Sequence, residues 1–284
     1  MIPAEILTLL LWVGGSLVSL AAVIFLVYLL ILVRPRGKQP EDKSLICDYA
    51  HRGLHGGGVP ENSLEAFKLA CEAGYGIELD IQLSSDGEVV VFHDGTLIRM
   101  TGVEGKVCDF TASELSELRL AGTDEKIPTL KEVLELVDGR VPMLVELKGS
   151  TLDISLCGKA YEILKDYKGS FCLESFNPWL VKGIKDLMPD RFCGLLYSNM
   201  VRDKKRDGKK VTALDRIVSA MALTFVCKPH FIAYNEEDRN SFPVRLSTRF
   251  YKTPKFIWTV TSKAAVDKAH ELGELPIFEK IDRE

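Results

Sequence analysis

The chain has 284 residues, of which 46% are hydrophobic and 27% charged, with a formal net charge of −4. That length suits one large domain plus an extra segment, the composition is ordinary for a globular protein, and the slight acidity argues against nucleic acid as a partner. The seven cysteines (47, 71, 108, 157, 172, 193 and 227) show no CxxC spacing, which suits free thiols in a reducing compartment better than a disulfide scaffold.

The chain begins with an apolar run. Ile6 to Val33 carries no charged residue and exceeds the ~20 residues that cross a bilayer. A cleaved signal peptide is the main rival, but the run is too long for an h-region and no basic residue precedes it. Residues 1–33 are therefore expected to form one transmembrane helix. Arg34, Arg36 and Lys38 follow at once, whereas only Glu5 and the amino terminus lie before it. Positive-inside bias then predicts a single-pass membrane protein with its body in the cytoplasm. Residues 34–44 (RPRGKQPEDKS) read as a short polar linker, and 45–284 as the domain.

From Ser44 onward, short apolar runs alternate with helical patterns. Strands are expected at Leu45–Tyr49, Tyr75–Leu83, Val89–Phe92, Met143–Leu147, Phe171–Glu174, Phe192–Tyr197, Phe231–Tyr234, Lys255–Val260 and Leu275–Phe278. Helices are expected at Ser63–Ala73, where Ser63 can cap, and at Leu130–Val137, Asp153–Tyr167, Pro178–Leu187, Val211–Phe225 and Lys263–Leu272. Such alternation argues for a parallel sheet with helices outside. One strand is surplus to an eight-stranded barrel. Asp86-Gly87 is a strong hairpin signal, so Val89–His93 folds back on the second strand. The expectation is an α/β fold, a TIM-like (β/α)8 barrel with a β-hairpin insertion after strand 2.

The hairpin carries a geometric consequence. With Ser85 opposite Glu88, Asp80 faces His93; a one-residue shift of the turn moves His93 toward Glu78. Glu78 and Asp80 lie two apart on one strand and share a face, which Ile77, Leu79 and Ile81 do not occupy. Two like charges there are costly unless a cation lies between them. Glu146, ending the next barrel strand, can supply a third oxygen for a hard divalent ion. His51 and Arg52 end the first strand. All gather at the C-terminal mouth, where barrel enzymes hold their chemistry.

Singly, these residues have bland readings. A strand-end histidine is usually a surface group, Glu-x-Asp is more often solvated than metal-bound, Pro60-Glu61-Asn62-Ser63 is a serviceable helix start, and Lys148 beside Gly149 can simply close a strand. Jointly they supply two histidines for proton transfer near neutral pH, three carboxylates for a cation, and Arg52 and Lys148 for a phosphate. The basic run from Arg202 to Lys210 reads as a solvated loop, or as a contact with an anionic leaflet. Trp258 reads as barrel packing or an apolar wall of the mouth.

The ordered motifs AHRG, PENSLEAF, GIELDIQLSSDGEVVVFHD, RMTGVEGKV, IPTLKEVLELV and LVELKG closely resemble the glycerophosphodiester phosphodiesterase family, with weaker echoes at LESFNP, FIAYN and IWTV. The resemblance covers about residues 46–272. It implies a TIM-like barrel that hydrolyses glycerophosphodiesters to an alcohol and glycerol phosphate with one divalent cation, magnesium, calcium or manganese. Position by position it implies His51 and His93 as the catalytic acid/base pair and Glu78, Asp80 and Glu146 as metal ligands. It further implies Arg52 as phosphate-binding, Lys148 as its aid, and Glu61 near metal and substrate. The neighbouring glycerol hydroxyl is the implied nucleophile. The family often closes with Thr-Asp and then Pro; here the last strand reads Leu275-Pro276-Ile277-Phe278-Glu279, which leaves barrel closure open. Two rival functions stand beside this one: a lysophospholipase D acting on membrane lysophospholipids, favoured by a broad apolar mouth, and a membrane-tethered module that binds a phosphodiester without turning it over.

Overall fold

The structure is a computed structural model and describes residues 3–149 and 152–279. The outermost residues expected for the anchor and the domain, 1–2 and 280–284, lie outside the described residues. Nine strands form one sheet: β1 Tyr49–Ala50, β2 Gly76–Leu83, β3 Val89–Val91, β4 Met143–Leu147, β5 Phe171–Ser175, β6 Cys193–Tyr197, β7 Phe231–Asn235, β8 Lys255–Val260 and β9 Leu275–Phe278. Eight are parallel and close into a barrel, because β1 pairs with both β2 and β9. β3 is the surplus strand and runs antiparallel on the outer edge of β2. β1 covers only Gly76 and Ile77 of β2, so the far half of β2 is free to take it.

Side-chain alternation sorts the barrel into two environments. Ile77, Leu79, Ile81, Val145, Leu173 and Ile232 point outward and pack under the helices. Inside, Tyr49, Leu144, Cys172, Phe231 and Phe256 fill the floor, with Phe231 and Phe256 ring centroids 4.5 Å apart. Gly194 is required by this plug, since a Cβ there would lie 2.0 Å from the Phe231 ring. One layer higher, toward the strand C-termini, the inward positions become acidic. This is the layered filling of a β/α barrel.

Local chemistry explains the elements around the mouth. Ser63 caps the Leu64–Ala73 helix by accepting from Ala66 N at 3.2 Å, and Gly74 ends it with φ +73°. Gly53 lets the loop after β1 lie on that helix; a Cβ there would meet Ala66 and Phe67 at 2.9 Å. Between β3 and the Leu130–Val137 helix, residues Leu97, Met100, Val107, Leu115, Leu120 and Ile127 build a satellite core with Val90 and Phe92.

Several expectations are corrected. The first strand is Tyr49–Ala50 rather than Leu45–Tyr49; Lys43–Leu45 is a 3-10 turn started by Asp42 accepting from Ser44 N at 3.0 Å, and Leu45 plugs the floor. The helix expected at Val211–Phe225 is two pieces, Ala213–Ser219 and Thr224–Cys227, broken where Met221 takes φ +52°. The first half of the basic run is helical, within Met200–Arg206, because Asn199 caps it and Arg202 pairs with Asp238 at 2.6 Å, while Asp207–Lys210 is an exposed loop as expected. The hairpin register is shifted by one. Ser84 N bonds Glu88 O at 3.0 Å across a three-residue loop with Gly87 at φ +79°, so Asp80 faces Phe92 and not His93.

Among the described residues one helix, Thr8–Leu32, is long and apolar enough to cross a membrane, with mean hydropathy 2.6. Its last turn, Tyr28–Leu32, packs on the barrel. Tyr28 Oη donates to Ala220 O at 2.9 Å, Tyr28 stacks on Phe242, Tyr251 Oη donates to Leu29 O, and Val33 is buried. The expected linker is likewise held down: Pro35 and Pro40 are buried and Arg36 N donates to Pro229 O at 2.9 Å.

Candidate active site

Three inward carboxylates come from adjacent strands. Glu78 and Asp80 project from β2, and Glu146 pairs in register with Asp80 from β4. Among the described residues these three bring ligand oxygens within 4.8 Å of one another, all buried. Lys148 Nζ lies between Asp80 Oδ1 and Glu146 Oε2, 2.8 Å from each. Asn62 Nδ2 donates to Asp80 Oδ2 at 2.8 Å. Arg52 donates its backbone N–H to Glu78 at 2.9 Å and its guanidinium to Glu61 at 2.8 Å. Arg52 and Asn62 both sit at left-handed φ, +56° and +53°, and Asn62 N bonds Arg52 O at 2.9 Å. The strained loop is thus fixed over the carboxylates, as functional loops often are.

The histidines flank the same pocket. His51 Nδ1 lies 2.5 Å from Glu279 Oε1, and its Nε2 faces Glu78 at 3.8 Å. His93 reaches the rim by a different route from the one expected. Gln82 Nε2 donates to the carbonyls of Phe92, His93 and Asp94 at 2.7, 3.2 and 2.8 Å, which bends the chain over β2. Asp94 then holds His93 Nδ1 at 2.7 Å. Arg99 links Asp94 to Glu61 at 2.5 and 2.7 Å. Glu61 therefore acts on the pocket through Arg52 and Arg99. His51, Arg52, Glu78, His93, Glu146 and Lys148 line one cavity of about 90 Å³, whose far wall is Phe176, Leu196, Trp258 and Ile277.

Four residues escaped the sequence reading. Glu174 is a fourth inward carboxylate, in register with Glu146; an acid inside the apolar strand FCLES was the available signal. Glu279 was seen only as a departure from a family pattern. Gln82 and Arg99 act through contacts no local motif announces.

Electrostatics tests whether a cation fits. Burial pushes the Glu78 carboxyl well above its usual range, with Asp80 and Glu146 adding to the push. Burial raises Glu146 to about 7 against the pull of Lys148, and burial, with Glu146 adding to it, pushes Glu174 well above the usual carboxylate range. For Asp80, burial is outweighed by Lys148, His93 and Arg52, which hold it ionised. Asp80 Oδ1 is buried without a hydrogen bond of good geometry, although Lys148 is at ion-pair distance. Protons are thus filling a place where positive charge is short. An all-oxygen donor set suits a hard divalent ion. Glu78, Asp80 and Glu146 fit that role.

The sign of the pH effect follows. Glu78 and Glu146 bind protons more tightly folded than unfolded, so they stabilise the metal-free fold fully below the ordinary carboxylate range, and that stability is lost as pH rises through about 7 for Glu146. A cation needs those groups ionised. Magnesium or calcium is expected to raise the melting temperature more at pH 8 than at pH 5. At a hundredfold excess over Kd the gain is ~2.7 kcal/mol, or about 5–10 °C for a domain of this size. Equal shifts at both pH values, measured by thermal melts with and without chelator, would count against the carboxylate site.

The sequence model of the glycerophosphoryl diester phosphodiesterase family matches residues 51–278. The chain belongs to that family. Within the family it is 40% identical over 161 residues to a glycerophosphodiester phosphodiesterase of Caldanaerobacter subterraneus, covering 52% of this chain and 65% of the relative. It is 33% identical over 204 residues to human glycerophosphodiester phosphodiesterase 1, covering 68% of this chain and 55% of the relative. The chain thus spans less than two thirds of these curated relatives. Among solved structures, the Thermotoga maritima glycerophosphodiester phosphodiesterase is similar with TM-score 0.62 and 29% identity, covering 82% of this chain and 94% of that one. An Oleispira antarctica phosphodiesterase, solved with its product sn-glycerol 3-phosphate, shares the fold with TM-score 0.66 at 23% identity, covering 83% and 94%.

Proposed function

We propose that this family member hydrolyses glycerophosphodiesters to an alcohol and glycerol 3-phosphate in a metal-dependent, two-histidine reaction. The observation that carries the reading is the meeting of His51, His93, Arg52 and Lys148 with the Glu78–Asp80–Glu146 trio around one cavity. A divalent cation held by the trio would polarise a phosphoryl oxygen. Arg52, fixed by Glu61, and Lys148 would offset charge on the non-bridging oxygens. Burial lowers the His51 pKa against the Glu279 hydrogen bond. With Nδ1–H given to Glu279, a neutral His51 presents an unprotonated Nε2, the form a base needs to take the proton of the substrate's glycerol hydroxyl. His93 is oriented by Asp94 at 2.7 Å, and burial lowers its pKa against the pull of Asp80; once protonated, it would deliver a proton to the leaving alcohol.

Glu279→Ala is expected to lower kcat by about 10–100-fold, as for other partners that orient a site imidazole, with KM little changed. A steady-state comparison that finds KM alone altered would remove Glu279 from the site.

We also read the N-terminal helix as a single membrane anchor ahead of a catalytic domain beginning near residue 45, with Arg34, Arg36 and Lys38 on the cytoplasmic side. One observation favours lysophospholipids as a second substrate class: the apolar wall of Phe176, Leu196, Trp258 and Ile277. Choline release by the full chain from glycerophosphocholine and from lysophosphatidylcholine, with and without chelator, tests both. Chelator-sensitive release from the first is expected. Release from neither, with metal restored, would leave the non-catalytic binding module.

A further inference from the structure

The end of the membrane-spanning helix and the mouth of the barrel lie on the same side of the molecule. Arg36 bonds Pro229, just ahead of β7, and Leu29 meets Tyr251, just ahead of β8; both partners are at the floor end of the barrel. Tyr28 then stacks on Phe242, beyond the C-terminal end of β7, with centroids 6.4 Å apart. Going toward the N-terminus, the helix therefore climbs from floor to rim and leaves past Phe242. The remaining Ala4–Val27 segment has 24 residues; at ~1.5 Å per residue it is about 36 Å long, enough for a ~30 Å hydrocarbon core. The turn docked on the barrel is not needed to cross it. Because residues 28–45 are pinned to the barrel at Tyr28, Leu29, Val33, Pro35, Arg36, Pro40 and Leu45, this contact sets how the barrel faces the bilayer.

The rim has the surface for that position. Leu152, Ile154, Phe176, Trp179 and Phe242 all stand beyond strand C-termini and are exposed, Leu152 at 72% and Phe242 at 56%. Leu152, Ile154, Phe176 and Trp179 follow β4 and β5, Phe176 also lining the cavity, and Phe242 follows β7 where the helix passes. On the same rim the Met200–Arg206 helix turns Lys205 and Arg206 to solvent, Arg206 also pairing with Glu237 at 3.2 Å and Asp203 at 3.5 Å, while Arg202 ties it to Asp238. An apolar arc beside exposed basic side chains, continuous with a spanning helix, matches the headgroup–acyl boundary of an anionic leaflet.

We propose that the active-site rim is seated on the bilayer, with Ile154, Trp179 and Phe242 in the lipid interface, so that the cavity opens onto the membrane and draws its phosphodiester from it. This rests on the anchor reading. The test uses the full chain in anionic phospholipid vesicles brominated high on the acyl chains. Single reporters Ile154→Trp and Phe242→Trp, each with Trp12, Trp179 and Trp258 changed to Phe, are compared in that same background with Leu187→Trp, which is exposed at the floor end of the Pro178–Leu187 helix. Trp12 is read alone, with Trp179→Phe and Trp258→Phe. Both rim reporters are expected to be quenched at least about twofold more than Leu187→Trp, as insertion by ~5–10 Å requires. If Trp12 is quenched while the rim reporters match Leu187→Trp, the anchor stands and the seating is overturned. If Trp12 itself escapes quenching, the anchor reading fails and the seating falls with it. Rim reporters shielded equally in bromine-free vesicles and in a detergent-stable dimer would make the arc a protein contact and also overturn the proposal.

Discussion

His51→Ala and His93→Ala are each expected to lower turnover of glycerophosphocholine by at least about 100-fold, the usual scale for losing a positioned acid or base. The two rings line one cavity, His51 held by Glu279 and His93 by Asp94, at 2.5 and 2.7 Å through Nδ1. Neither ring packs in the barrel floor, so truncation leaves the core intact and the loss falls on kcat. If each performs one proton transfer, the double variant loses little beyond the larger single loss, because the two act as a unit. Initial-rate measurements with saturating metal decide the point. Near-normal turnover by either single variant would reject the acid–base assignment.

Asp80→Asn is expected to abolish tight cation binding and to lower activity by at least about 100-fold, exceeding the ~10–100-fold effect of an outer-shell partner. Asp80 is the hub of the site. It takes Asn62 on Oδ2 at 2.8 Å, lies 2.8 Å from Lys148 and 3.6 Å from Arg52, and pairs in register with Glu146. Of the four inward carboxylates it alone is pushed below its usual range, by Lys148, His93 and Arg52 against burial. The isosteric amide keeps its shape and one acceptor oxygen but removes the charge that both Lys148 and a divalent ion use. Calorimetric titration of magnesium or calcium, run beside the activity assay, separates the two losses. Wild-type cation affinity in Asp80→Asn would move the metal away from this trio.

Much of the barrel was legible because its rules are local. A strand has period two, so Glu78 and Asp80 against Ile77, Leu79 and Ile81 declare an inner and an outer face before any coordinates exist. The same rule, applied to β5, would have exposed Glu174. Helix caps such as Ser63 are also written within four residues. Failures came where a count depends on turn geometry. Asp86-Gly87 marks a hairpin, but the loop closes on Ser84 and Glu88 with Gly87 at φ +79°, and one extra loop residue moves every pair below it. His93 still reaches the site, through Gln82 gripping three consecutive carbonyls.

The amino-acid sequence by itself determined the eight parallel strands, the acidic inner face, the paired histidines and the long apolar helix. These depend on periodicity, charge and short-range turns. Tertiary structure alone decided which carboxylate holds His51, since Glu279 lies 228 residues away and arrives only when β9 closes the barrel on β1. It also decided that the expected linker is a packed strap, because burial of Val33, Pro35 and Pro40 requires a surface assembled from β7, β8 and their helices. Contacts between distant segments carry no local period, and so leave no pattern to read in the chain.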